Sequence, residues 1–422
     1  MVFGRRTCVY AAALAAAAAT ACAGPPPRVL TMSGSAVGAE GTVLRRQLDR
    51  FAAAHPGLSV SLRVTPDAAD QRHQLYVQWL NGRATDPDVL QLDVIWTAEF
   101  AAAGWILPLD RFSPPIDRFF AAAIAAGRWE GRVFGLPWFI DVGMLYRRVD
   151  KVARAPRDLD DLTRLARTAQ QDPALPYGLV WQGARYEGLV TVFLEYLAAY
   201  GGAILDDEGR VVVDSEEAVG ALTWMRNAIY VDRIVPAAVL TWQEEQTRFA
   251  FQNGEAAFMR NWPYAYGLLQ DPAASAVAGR FAVAPMPAGP GGAGGAALGG
   301  STLAINAFSD QPAEAYELID FLVQPAQLVE RARDVGQFPP VRALYDDGRL
   351  DDALKVPPAT ARDVIEHAVA RPVTPVYSEL SEILQVSIHR ALTRQQEPRA
   401  ALQDAARGMR ALLARVHLDG RR

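Results

Sequence analysis

The chain has 422 residues, enough for one to three domains with a sizeable core; 50% of them are hydrophobic and 21% charged, an ordinary globular composition. A formal charge of −5 argues against a nucleic-acid or polyanion partner. The histidines (His55, His73, His367, His389 and His417) show no metal-ligand spacing, so neither a metal nor a cofactor is expected.

The first 22 residues read as a signal peptide. Arg5 and Arg6 supply a positive start, and residues 9–19 form an apolar, Ala-rich run too short to span a bilayer comfortably. The run ends in Ala19-Thr20-Ala21-Cys22, small residues before a cysteine that resemble a bacterial lipobox. Cys22 would then carry a lipid that anchors the protein to the membrane. Ala19 stands where leucine is usual, so plain signal-peptidase cleavage is the alternative. Cleavage before Cys22 removes Arg5 and Arg6 and takes the charge from −5 to −7. Residues 23–27, with Pro25-Pro26-Pro27, form a stiff tether. No later stretch is apolar enough to cross a membrane.

After the tether, residues 28–32 read as a first strand, followed by the small-residue loop 33–38. That loop lacks the Gly-Lys-Ser/Thr of a phosphate loop and does not fit G-x-G-x-x-G. Val43, Leu44, Leu48 and Phe51 repeat at helical spacing, which predicts a helix over 40–55 stopped by Pro56-Gly57. A strand over 58–64, a helix over 69–81 and a buried strand over 89–96 complete β-α-β-α-β, the pattern of a helix-flanked sheet. Ligands of such sheets bind beyond the carboxyl ends of the strands. Glu40 and the strand residues Asp93 and Trp96 are therefore candidates. Asp93 is either satisfied by backbone donors or faces the cleft, and Trp96 is either core or cleft wall. Glu99 is placed exposed in the first turn of a helix, where it favours the dipole.

Residues 129–136 read as a hairpin leading into Pro137-Trp138-Phe139-Ile140-Asp141-Val142-Gly143-Met144-Leu145-Tyr146. One carboxylate, Asp141, interrupts this apolar run. A lone carboxylate there costs free energy unless something hydrogen-bonds it. It sits either at a strand end or where the chain crosses between two lobes, with Phe139 and Asp141 facing a cleft. A second α/β unit follows. It has helices over 158–170, 187–200 and 215–230, a strand over 177–182, and a helix–glycine–strand unit over 248–259 running into Trp262. Residues 285–300, rich in Gly, Pro and Ala, read as a mobile loop before a strand over 302–306. A helix over 312–323 comes next, and the chain beyond Arg342 is mostly helical.

Several segments in register resemble sugar-binding proteins of ABC importers, the maltose-binding-like group and within it the trehalose/maltose-binding members. They are Leu92 to Trp96 with Glu99 and Gly104-Trp105; Pro137 to Tyr146; Val180-Trp181-Gln182-Gly183 with Tyr186 to Leu189; Arg260 to Tyr264; Leu298-Gly299-Gly300; Pro340-Val341-Arg342; and Arg371-Pro372 with Pro375-Val376-Tyr377. The resemblance implies an α/β, two-lobe periplasmic-binding-protein type II fold, each lobe an open sheet flanked by helices, joined by a multi-crossing hinge. Crossings would fall near Phe139, Ser301 and Val341. The N-terminal lobe would comprise residues 28–138 plus 302–340 and the C-terminal lobe 139–301 plus 341–422.

It further implies an extracytoplasmic monomer that closes on an α-linked glucose disaccharide and delivers it to a membrane permease with a separate ATPase. Sugar contacts carried over fall on Glu40, Asp93, Phe139, Asp141, Trp262, Gly300 and Arg342, with Trp96, Trp181, Gln182 and Glu187 as further candidates. Carboxylates accept charge-assisted bonds from vicinal hydroxyls, an arginine fork donates to oxygens, and an indole offers a flat face to a pyranose. Ser301 stands where close relatives carry tryptophan, and Phe139 lacks a tyrosine hydroxyl, which costs roughly 0.5–1.5 kcal/mol of hydrogen bonding. A secreted glycoside hydrolase using two of Asp93, Asp141 and Glu187 is one alternative. A binding protein for a non-sugar solute is another. No G-x-S-x-G is present for a serine hydrolase.

Overall fold

The computed structural model describes residues 28–36, 39–66, 69–290, 292 and 294–416. The expected signal peptide, Cys22 and the tether lie outside the described residues. In chain order, the first half contains β1 (Arg28–Gly34), α1 (Glu40–Ala54), β2 (Leu58–Val64), α2 (Ala69–Asn81), β3 (Val89–Asp93), α3 (Thr97–Ala102), α4 (Ala121–Ala126), β4 (Arg128–Trp129), β5 (Arg132–Val133), β6 (Leu136–Val142) and β7 (Met144–Arg148). Then come α5 (Leu159–Ala169), β8 (Tyr177–Val180), α6 (Glu187–Ala199), α7 (Glu216–Tyr230), α8 (Glu244–Gln252), β9 (Ala256–Asn261), α9 (Tyr264–Leu269) and β10 (Phe281–Ala284). The last part holds β11 (Ala296–Ile305), α10 (Pro312–Leu322), α11 (Pro325–Asp334), α12 (Pro358–Glu366), β12 (Ala368–Val369), α13 (Tyr377–Leu392) and α14 (Pro398–Arg415).

These elements form where side-chain spacing lets them bury one face. Val43, Leu44, Leu48 and Phe51 of α1 are all buried on its inner side. Helix α5 starts at Asp158, whose carboxylate accepts the Asp161 backbone N–H at 2.7 Å. Almost every side chain of α6 is buried, because it packs against α7, α13 and β11 together.

Apart from the β4–β5 hairpin, the strands make two open sheets. One runs β12–β11–β3–β1–β2, with β6 also paired to β11; the other runs β10–β7–β9–β8. Strands β1 and β2 are parallel, while β11 is antiparallel to both β3 and β6. The chain leaves the first sheet and enters the second between β6 and β7, at Gly143. A Cβ there would lie 1.8 Å from Oε1 of Glu195, so only glycine lets the strands pass over that carboxylate.

The loop expected over 285–300 ends earlier, because β11 begins at Ala296. Its backbone groups are taken up by β12 at Ala296 and Ala297 and by β6 from Leu298 onward. The ladder slips between Ser301 and Thr302, next to Gly300 at φ +115°, a conformation that favours glycine. Strand β3 ends at Asp93 rather than 96, since Trp96 N–H turns back to the Asp93 carbonyl at 3.0 Å.

Candidate functional site

A cavity of about 500 Å³ is lined from both sheets, within the range of small-molecule sites. Glu40 reaches it from the first residue of α1, Asp93 from the end of β3, and Phe139 and Asp141 from β6. Gly299 to Ser301 of β11 form its floor beside them. The second sheet contributes Tyr186 to Gly188 at the start of α6, Gln243 to Gln246 at the start of α8, and Trp262 just beyond β9. Glu40, Asp93, Phe139, Asp141, Glu187, Trp262 and Gly300 are thus brought together.

Two expected site residues stand elsewhere. Arg342 does not line the cavity; its side chain is 58% exposed and pairs with Glu366 at 2.9 Å. Two other arginines reach the cavity, Arg72 of α2 and Arg371 in the loop after β12. Trp96 is 2% exposed and packs among Tyr76, Phe100 and His73. It is chiefly core, because β3 ends before it; it does not line this cavity but touches a neighbouring one, with Ile95 and Glu99. Of the further candidates, Trp181 is core and Gln182 is scaffold, donating to the Arg260 carbonyl at 3.2 Å and accepting from its guanidinium at 3.1 Å.

Arg371 is buried and ties the two sides together. Its Nη2 donates to Asp93 at 3.1 Å and its Nη1 to Glu187 at 2.8 Å. Burial disfavours the guanidinium charge, but Asp93 and Glu187 outweigh it and raise its pKa. Glu187 also accepts from Tyr377 at 2.8 Å and from Ser381. Its pKa is raised, because burial outweighs these donors. Glu99, expected exposed, is held by His73 at 2.8 Å and by Ser378 of α13 at 2.9 Å.

Asp141 differs from both. Its carboxylate receives no hydrogen bond from a described residue. Burial, with the charges of Glu40 and Asp93 added, pushes it up to about 7 against the partial pull of Arg331 and Arg260. Glu40 is steered by a short chain: Arg331 donates to Gln337 at 2.8 Å, and Gln337 donates to Glu40 at 2.8 Å. The Trp262 indole is fixed by its own N–H, which donates to Glu244 at 3.3 Å, and by the Arg260 guanidinium 3.8 Å over the ring. The Tyr186 hydroxyl lies by the Glu244 carboxylate but out of hydrogen-bond geometry.

The cavity therefore presents carboxylate acceptors beside aromatic side chains, with Trp262 among them, a lining suited to a neutral ligand rich in hydroxyls. Among the described residues no cluster of His, Cys, Asp and Glu could hold a metal ion. Nor is any described helix long and apolar enough to cross a membrane. Arg371, Tyr186, Gln243, Glu244, Gln337 and Arg72 were not singled out from sequence as contacts. Arg371-Pro372 was at hand as a motif, but nothing in the sequence aims that arginine at the cleft.

Residues 35–328 match the family of bacterial extracellular solute-binding proteins. The chain belongs to that family. This solute-binding protein is 35% identical over 365 residues to a probable ABC transporter-binding protein of Deinococcus radiodurans, covering 82% of this chain and 85% of that one. Among solved structures, maltose-bound MalE3 of T. maritima is 41% identical with a TM-score of 0.86, covering 91% of this chain and all of that one. The GacH receptor of Streptomyces glaucescens, solved unliganded and with acarbose, is 22% identical with a TM-score of 0.81, covering 92% and 98%, and shares the fold. The expected two-lobe fold and membership of the maltose-binding-like ABC-importer group are borne out. These relatives are binding proteins rather than enzymes, and the family works outside the cytoplasm.

Proposed function

We propose that this solute-binding protein captures an α-linked glucose disaccharide, of the trehalose or maltose type, and hands it to the membrane permease of an ABC importer. The observation that carries the reading is the convergence of Glu40, Asp93, Asp141 and Trp262 on one cavity. Carboxylates there accept from vicinal hydroxyls, and the indole takes the apolar face of a pyranose. Arg371 holds Asp93 and Glu187 in place at one end. A maltose-bound relative at 41% identity supports the same ligand class.

In this reading residues 28–138 with 302–340 form one lobe and 139–301 with 341–422 the other. The connections lie near Phe139, Ser301 and Val341, and the lobes close on the sugar. The passage of the chain from the first sheet to the second between β6 and β7, just past Phe139, supports a connection at that point. Cys22 carries the lipid anchor, and the protein works as a monomer whose permease uses a separate ATPase.

The test is calorimetry on protein lacking residues 1–22, titrated with trehalose, maltose, sucrose and glucose. Saturable binding of one disaccharide, recovered intact after overnight incubation, is the expected result. No heat with any of them or with longer α-glucans would overturn the reading.

A further inference from the structure

A second cavity of about 480 Å³ lies beside the first, and Glu187 lines both. The same segments build the two. On α2, Arg72 faces the first cavity, while Asp70, His73 and Gln74 face the second. Asp93 at the end of β3 faces the first, and Ile95 and Glu99 just beyond it face the second. Tyr186 and Gly188 lie on one side of Glu187, Arg185 on the other. Two compartments lined by neighbouring residues of the same elements are one cleft with a partition across it.

That partition is continuous. Asp93, at the end of β3, bonds Arg371, and Arg371 bonds Glu187, at the start of α6. Tyr377 and Ser381 of α13 hold Glu187 from behind. The second compartment also offers side chains suited to hydroxyls: Ser378, Gln385 and the carboxylates Glu379 and Glu382. Resting on the sugar reading above, we infer that the Glu187 side chain, pinned by Arg371, is the end wall that sets how long a carbohydrate the cleft accepts. With the wall in place an α-glucan stops at the first compartment. Without it the chain extends past α3 and along α13.

Glu187→Ala tests this. Arg371 keeps Asp93 as its partner, so no isolated buried charge is left behind. Calorimetry with maltose, maltotriose and maltotetraose is run on the wild-type protein and the variant. The expected result is that the affinity ratio of maltotetraose to maltose rises at least tenfold in Glu187→Ala. Glu187→Gln keeps the wall's volume and is expected to keep the wild-type ratio. Should Glu187→Ala fail to fold, Glu187→Ser, whose hydroxyl can still accept from Arg371, replaces it. Unchanged ratios in a folded Ala or Ser variant that still binds maltose overturn the end wall and leave the sugar reading intact. An equal rise in Glu187→Gln also overturns it, since charge rather than bulk would then set the length. Wild-type protein that binds none of the three removes the sugar reading, and the end wall with it.

Discussion

Two carboxylates beside the same glycine, Asp141 along the chain and Glu195 through space, have opposite lives. Glu195 lies beneath Gly143 and is fully buried with Arg260, both side chains 0% exposed. It accepts from Arg260 Nε at 2.8 Å and from the Ala297 backbone N–H at 3.2 Å. Asp141, two residues before that glycine, faces the cavity with no donor among the described residues and two acidic neighbours. Pairing makes a buried charge into scaffold; leaving it unpaired makes it a demand that a ligand can satisfy. The difference separates structure from function around one glycine, Gly143.

Removing the scaffold arginine should have the largest effect. Arg260→Met leaves Glu195 buried with the Ala297 N–H alone and is expected to cost about 3–5 kcal/mol of stability, read as a lower denaturation midpoint. A loss under about 1 kcal/mol, within the range of exposed ion pairs, would break the contrast.

On the ligand side, Trp262→Ala and Asp141→Ala should each weaken disaccharide binding at least tenfold, about 1.4 kcal/mol, by calorimetry. Unchanged affinity in both would mean that the ligand sits elsewhere.

The contrast also predicts a pH dependence. Asp141 keeps its proton up to about 7 in the folded chain, against an ordinary value of 3.8. Between those values the folded state holds a proton that the unfolded state has lost. Its contribution to stability is therefore present below the lower value and is lost as pH rises to about 7. Asp141→Asn should flatten that part of the profile. Sugar hydroxyls donate to the ionised form, so wild-type affinity should strengthen from pH 6 to pH 8, and Asp141→Asn should lose the trend. A wild-type affinity flat across that interval would count against ionised Asp141 as an acceptor.

The smallest effect concerns Tyr186. Its hydroxyl forms no hydrogen bond to a described residue, so Tyr186→Phe should leave the melting temperature nearly unchanged while weakening sugar binding by roughly 0.5–1.5 kcal/mol. A clear drop in melting temperature would show that the hydroxyl belongs to the scaffold after all.

Much of the architecture was legible because local periodicity and the buried face agree. Helices α1 and α2 and strand β2 lie where apolar spacing puts them. Asp93 and Asp141 were legible as carboxylates interrupting apolar runs, whereas Trp262 came only with the family resemblance. Strand β11 was not, since its first half is Ala and Gly and becomes a strand only through pairing with β6 and β12. Arg342 and Arg371 each adjoin a proline-containing loop with no periodicity to aim them. Only the folded chain sends one to Glu366 at the surface and the other between Asp93 and Glu187. Glu187 sits in the first turn of its helix, where a solvated acid is the usual occupant, and the burial supplied by α13 lies far off in sequence.

The guanidinium lying over Trp262 has a consequence for how a guest can be seated. One side of the ring system is already taken, and its N–H is moored to Glu244. A pyranose can therefore stack on a single side only, and the aromatic residue cannot be sandwiched between two sugar units. Whatever is bound there enters with one ring against a one-sided table, and any second aromatic contact must come from another wall, such as Phe139.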